Sequence, residues 1–161
     1  MLTPVENLVP KLIYRKATEK DLIWINERYE TVNFKPSSLD AGDEEIWISE
    51  SMGRPVGVGR LVDMGSGTVE MGGMYVLDRF RGHGIARKLV DLLMDSARAR
   101  FETIYCIPVN HLVDFYKGFG FELYSGKVEH LAPKLQEKYH FCETKLKVKQ
   151  LLWLKVLRQS D

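Results

Sequence analysis

The sequence predicts an α/β protein, an α+β sandwich built on a mixed sheet of six to seven strands with helices on both faces. Three observations lead there. Strand-like segments joined by glycine turns crowd residues 44–77, as antiparallel hairpins do. After residue 85, segments of helical period alternate with short apolar ones, as in strand–helix crossovers. One apolar segment, TIYCIPV, runs almost unbroken, the mark of a strand covered on both sides.

Taken in order, KLIYRKAT reads as the first strand. Thr18 followed by Asp21 forms the pattern of a capping box, and Leu22, Ile25 and Tyr29 then share one helical face. Pro36 and its Ser, Gly and Asp neighbours make VNFKPSSLDAGDEE a loop or a broken second helix. EIWISE and PVGVGRLVDM pair through the turn MGR, which puts Arg60 in the second strand of a hairpin. GSG turns the chain again into the strand TVEMGGMYVL. A helix follows from Ile85 to about Arg100, with Ile85, Leu89, Leu93 and Ala97 on its inner face and Leu92 alongside. Then come the buried strand TIYCIPV, a short glycine-closed helix in HLVDFYKGFG, and the strand FELYSG. A last helix carries Leu135, Tyr139, Cys142 and Leu146 on one stripe, and QLLWLKVL is the final strand.

The 161 residues fit one domain, expected to span residues 1–161. Lys and Arg number 23 against 22 for Asp and Glu, so no basic excess marks a nucleic-acid or membrane-surface binder. Neither partner is expected. Cys106 and Cys142 are too few for a disulfide framework and read as buried thiols. Glu6 and two prolines interrupt the opening MLTPVENLVPKL, so it lacks the pattern of a secretory leader. No apolar run approaches the roughly 20 residues of a membrane span. The expected location is cytoplasmic. No His, Cys or carboxylate group has metal-ligand spacing, and no metal is expected.

The chemistry concentrates at the junction MYVLDRFRGHGIARKLVDLL, residues 74–93. A strand ends near Leu77 and a helix begins near Gly84, with DRFRGHG between them. The first amides of a helix have no internal partner, and the macrodipole adds partial positive charge there. Gly82 and Gly84 let backbone approach a ligand closely. Arg79, Arg81, His83, Arg87 and Lys88 surround them, and no carboxylate occurs between Arg79 and Val90. Such a junction suits a phosphate. Neither the Walker pattern nor GxGxxG fits, since no GK[ST] follows and the third glycine would fall at Arg87. The plain alternative is a glycine turn with solvated arginines.

The same residues resemble the GCN5-related N-acetyltransferase (GNAT) superfamily, whose acetyl-CoA loop has the form [QR]-x-x-G-x-[GA] between a strand and a helix. It matches in two registers, from Arg79 to Gly84 and from Arg81 to Ala86, with Asp78 where proline is usual. The resemblance implies that Tyr75, Val76 and Leu77 meet the pantetheine of acetyl-CoA, and that Arg81, Gly82, His83, Gly84, Ile85 and Ala86 hold its pyrophosphate. Residues 115–122, FYKGFGFE, are similar to a second family motif whose tyrosine protonates the departing thiolate, here Tyr116. By itself Tyr116 also reads as a core tyrosine. The family often places Asn seven residues before that tyrosine; this chain has Val109 there, and Asn110 sits one residue late.

Acetyl transfer to an amine requires a neutral nucleophile, and an alkylammonium of pKa ~10.4 must first lose a proton. Some relatives carry a catalytic glutamate eleven residues before the loop arginine, the relation of Glu70 to Arg81. Under unbroken alternation Glu70 shares a face with Gly72, Met74 and Val76. Its alternative is an edge carboxylate paired with Arg60. His111 is a lesser candidate base. Tyr29, Asn33, Phe34 and Arg60 are candidates to line the acceptor groove, where the acidic run DAGDEE is either a lure for a cationic acceptor or a solvated loop. The helix near residues 132–146 is expected to shape that groove or to provide a homodimer contact. The reading is an acetyl-CoA-dependent N-acetyltransferase acting on an amine by direct transfer, neither cysteine lying in a nucleophile motif. A CoA sensor without turnover and an anion-binding interaction domain are its rivals.

Overall fold

The computed structural model describes residues 11–108, 112–146 and 151–158. Strand β1 (Leu12–Lys16) leads through a short turn of 3-10 helix into α1 (Leu22–Thr31). The capping pair forms: Thr18 N–H donates to Asp21 Oδ2 at 2.8 Å. Arg15 clasps the same carboxylate at 2.8 and 2.9 Å, tying β1 to the start of α1 and holding the Asp21 carboxyl below its ordinary pKa. Residues 33–43 carry no helix, and the expectation of either a loop or a broken second helix resolves to a loop.

Strands β2 (Glu44–Ser51), β3 (Arg54–Gly65) and β4 (Thr68–Val76) form the antiparallel meander. Then follow α2 (Ile85–Arg100), β5 (Thr103–Cys106), α3 (Val113–Lys117), β6 (Glu122–Leu123), α4 (Pro133–Leu146) and β7 (Trp153–Val156). The seven strands make one sheet in the order β1-β2-β3-β4-β5-β7-β6. β4 and β5 pair in parallel, as the crossover through α2 dictates, and the neighbouring pairs are antiparallel. Among the described residues, no helix is long and apolar enough to cross a membrane.

Two apolar layers flank the sheet. On one side α2 buries Val90, Leu93, Met94 and Ala97 against Leu61, Val69, Met71 and Ile104, and Ile85 and Leu89 against Val56. At ~1.5–3 kcal/mol per large aliphatic side chain, this face is the main anchor of the fold. Val90 and Met94 flank the stripe on its inner side, and Leu92 is only half-buried. On the other side α1 sets Ile25 and Tyr29 against Ile46, Ile48 and Val58, while α4 sets Leu135 and Tyr139 against Met64 and Leu152. β5 departs from the expectation of a strand covered on both faces. Ile104 and Cys106 are buried, but Thr103 and Tyr105 are half-buried, because the α4 layer covers their side incompletely.

One irregularity decides where the site lies. β3 pairs Val58 with Tyr75 and Arg60 with Gly72, so β4 carries one residue too many between them, a β-bulge at Gly73, whose φ is +61°. The bulge reverses the alternation. Glu70 and Gly72 face the α1 and α4 side, whereas Met74 and Val76 pack under α2, and the expected shared face does not exist. A Cβ on Gly73 would strike the Tyr29 hydroxyl and stand 2.9 Å from Arg60 Nε. Gly73→Ala is therefore expected to cost about 2–4 kcal/mol, combining left-handed strain with displacement of both side chains. Gly42, at φ +70° with nothing within 4 Å of a built Cβ, is the control. Gly42→Ala should cost only about 1–2 kcal/mol in urea unfolding.

Candidate active site

β4 and β5 pair only from Thr68 to Glu70 on one strand and from Thr103 to Tyr105 on the other, while β4 runs on to Val76. Among the described residues, the β4 edge from Met71 to Val76 thus faces no neighbouring strand on that side. Its peptide groups can pair with an extended ligand as a further strand would. The strand ends where Leu77 N–H donates to the Val56 carbonyl at 2.9 Å.

Beyond a turn at Asp78–Phe80 lies the glycine loop. Gly82 and Gly84 have φ of +84° and +76°, and a Cβ on either would meet nothing within 4 Å. Gly84 is the N-cap of α2, no side chain caps that end, and no acid lies in the first turn. The open amides and the dipole therefore offer an anion site, as the sequence expects. Arg81 pairs with Asp78 at 3.1 Å, but both are exposed, and such a pair contributes only ~0–1 kcal/mol, leaving Arg81 able to turn to a ligand. The Arg87 guanidinium lies over the Phe119 ring at 5.2 Å.

A cavity of about 530 Å³ joins the strand edge to the loop. Seven of the nine expected cofactor residues line it: Tyr75, Val76, Arg81, Gly82, Gly84, Ile85 and Ala86. Leu77 packs instead beside Ile85 and Leu89, and His83 is exposed outside the lining. Phe34, Phe80, Leu112 and Phe115 make the remaining wall largely apolar. Phe115 carries no signal of its own in the sequence, because the tyrosine beside it holds the motif.

Phe34 also borders a second, smaller recess of about 40 Å³ on the α1 and α4 side. Asn33, Arg60 and Glu70 line it with Gly72 and Gly73, and Lys35, Lys138, Phe141 and Cys142 close it. Asn33 follows α1 in the left-handed region at φ +60°, a conformation asparagine tolerates. Three of the four expected acceptor residues thus meet at one place. Tyr29 lies beneath it, fully buried, its hydroxyl donating to the Gly73 carbonyl at 2.7 Å and its ring under the Arg60 guanidinium at 4.6 Å.

Glu70 is 2% exposed, and among the described residues its Oε2 has no hydrogen-bond partner. Its Oε1 occupies the space a Cβ would need on Gly72, so only glycine there admits the carboxylate. Among the described residues no ion pair joins Glu70 to Arg60. Arg60 is held by Glu44 at 3.6 Å and donates to Ser37 Oγ. Most of the acidic run is engaged in pairs of this kind, Asp43 with Lys134 at 3.8 Å and Glu45 with Lys16 at 3.2 Å, while Asp40 is exposed.

α3 places Tyr116 at 3% exposure, edge to face with Phe115 at 5.2 Å and with Phe121 at 6.0 Å. It does not line the larger cavity, where Phe115 stands instead. Burial pushes the Tyr116 phenol well above its ordinary pKa, and Glu70 is among the nearby charges that add to the effect. The phenol therefore keeps its proton at neutral pH. Burial likewise raises the Cys106 thiol far above its ordinary value and the Cys142 thiol to about 11. Neither supplies a thiolate nucleophile at neutral pH. Val109, Asn110 and His111 lie outside the described residues. Among the described residues no group of three His, Cys, Asp or Glu side chains could hold a metal ion.

An open strand edge beside a glycine loop on a helix N-terminus, in a seven-stranded mixed sheet, defines a protein built to bind an extended ligand that carries a phosphate group. The model of the Acetyltransferase (GNAT) family matches residues 13–121, and the chain belongs to that family. No curated protein sequence matches it. Among solved structures, Rv2747 from Mycobacterium tuberculosis, in complex with CoA and the ligand NLQ, is similar at 22% identity and a TM-score of 0.71, over 91% of this chain and 99% of that one. N-acetylglutamate synthase from Neisseria gonorrhoeae, complexed with CoA and N-acetyl-glutamate, aligns at 14% identity and a TM-score of 0.74. That match covers 92% of this chain but only 36% of the synthase. A GNAT acetyltransferase from Staphylococcus aureus Mu50 aligns at 15% identity and a TM-score of 0.65, over 92% of this chain and all of that one.

Proposed function

We propose that this protein transfers an acetyl group from acetyl-CoA to a primary amine, directly and without a covalent enzyme intermediate. One observation carries the reading: the cavity along β4 and the glycine loop meets, at Phe34, a recess that holds the partnerless Oε2 of Glu70. The complexes of similar proteins with CoA support it. The residues present fit acetyl-CoA, since the loop offers open amides to a pyrophosphate and the β4 edge offers peptide groups to an extended pantetheine arm. Bound there, acetyl-CoA supplies the activated acyl carbon. Asn110, beyond the described residues, is not needed for this fit.

Glu70 takes the proton from the acceptor ammonium and passes it to water, leaving a neutral amine. The amine nitrogen then bonds to the acyl carbon as the carbon–sulfur bond breaks. To Tyr116, buried behind Phe115 and outside the cavity lining, we assign the proton for the departing sulfur, a role that requires its hydroxyl to reach that sulfur once acetyl-CoA is bound; the proton it gives is replaced by the one the amine loses. Acetyl-CoA and an ammonium thus become an amide, free CoA thiol and one released proton. Tyr29 positions the site by holding Gly73 and stacking on Arg60.

Tyr116→Phe tests the acid. It removes one hydroxyl from a packed aromatic cluster, so folding and acetyl-CoA affinity should persist while kcat falls at least about tenfold, within the range general acid catalysis contributes. A donor with a more acidic leaving thiol should be hurt less. Wild-type kcat in the Phe variant, measured where chemistry limits turnover, would leave Tyr116 as a packing residue only.

A further inference from the structure

The recess around Glu70 is built for more than an amine. Two polar atoms on its floor have no hydrogen-bond partner among the described residues, Glu70 Oε2 and Arg60 Nε, on side chains each 2% exposed. Lys35 and Lys138 line it from above, and neither has an ion pair or hydrogen bond among the described residues. Arg60 and the same two lysines also line an adjoining cavity of about 160 Å³, so the recess opens into a space of small-molecule size.

The charges around it settle what kind of amine fits. Of the acids that line the adjoining cavity, Asp43 and Glu44 are already paired with Lys134 and Arg60. Glu137, at the rim of the adjoining cavity, is exposed to solvent. The recess therefore sets the buried Glu70 carboxylate beside the half-buried Lys138, with Lys35, exposed like Glu137, at the same opening. A polyamine or a basic peptide would bring further positive charge against the half-buried Lys138 and against Lys35. A molecule with one cationic and one anionic end meets each group with its opposite.

We propose that the acceptor is an α-amino acid, its ammonium at Glu70 and its carboxylate held by Lys35, Lys138 and the free Nε of Arg60. The inference rests on the acetyl-transfer reading above and narrows its acceptor. The reaction balances as written there: the α-nitrogen bonds to the acetyl carbon, the carbon–sulfur bond breaks, CoA leaves as the thiol, and one proton passes through Glu70 to water. Lys35 follows α1 and Lys138 stands on α4, so the carboxylate would bridge segments that meet only in the folded protein.

The test measures CoA thiol release by the full chain at saturating acetyl-CoA, with the common amino acids, their α-carboxamides, and spermidine as an amine without a carboxylate. At least one amino acid should exceed its carboxamide in kcat/KM by about tenfold or more, the range lost with a charge-assisted hydrogen bond. Lys138→Gln should raise KM for that amino acid far more than it changes kcat, leave KM for the carboxamide nearly unmoved, and be rescued in part by Lys138→Arg. Equal use of acid and carboxamide, preference for spermidine, or no turnover of any amino acid would each overturn the proposal. Calorimetry of acetyl-CoA on the same preparation separates the two levels. Binding without amino-acid preference overturns this inference alone, whereas no binding overturns the transfer reading and this inference with it.

Discussion

Gly84→Asp is expected to abolish acetyl-CoA binding while leaving the protein folded. Gly84 has φ +76° and caps α2 with no atom within 4 Å of a built Cβ, so an added side chain strikes nothing. Aspartate tolerates the left-handed region better than most residues, and the conformational cost should stay near about 1 kcal/mol. The carboxylate would nevertheless stand where the pyrophosphate approaches the helix amides, cancelling their partial charge and repelling the ligand. Calorimetry should therefore show no heat of binding, alongside an unchanged far-UV spectrum and a melting temperature lowered by only a few degrees. Unchanged CoA affinity in the folded variant would remove the loop from the site.

Glu70→Gln should lower kcat by on the order of 10²-fold or more at neutral pH, with the deficit shrinking as the pH rises toward the amine's own pKa. The substitution keeps the shape of a side chain that folds against Gly72 and removes only its basicity. As alkali deprotonates the acceptor in solution, the step Glu70 performs is supplied without it. The rate profile of the variant should accordingly climb with pH where that of the wild type is flat. A deficit of equal size at every pH would assign Glu70 to holding the acceptor rather than deprotonating it.

Much of this site is legible in the sequence, and the parts that are not share a cause. The Ile85, Leu89, Leu93, Ala97 spacing after Gly84 fixes α2, because a helix must bury one stripe and glycine is favoured where the chain enters with positive φ. The loop before it follows from local chemistry, whereas the open strand edge depends on where pairing between β4 and β5 stops and is implied in the sequence only by the family resemblance. The side on which Glu70 points does not, because strict alternation fails at a bulge. The Gly72–Gly73 doublet was its available signal, since paired glycines inside a strand mark a bulge or a close approach. Tyr29 shows the same limit. Helical period puts it on the inner face, and only the bulge explains why its hydroxyl reaches Gly73 rather than the recess. Lys35 and Lys138 carry no local pattern at all. They become a pair because α4 returns across the sheet beside the segment that follows α1.

The central claim, that the two cavities meeting at Phe34 carry out acetyl transfer to an amine, is tested most directly by following a labelled acetyl group. The protein is incubated with acetyl-CoA carrying carbon-13 in the acetyl group and a mixed panel of small amines, and the products are identified by mass spectrometry. The account predicts label in the amide of at least one amine, dependent on the protein and sharply reduced by Glu70→Gln at neutral pH. Tight acetyl-CoA binding with no label in any amine would contradict it and leave a CoA-binding module in its place.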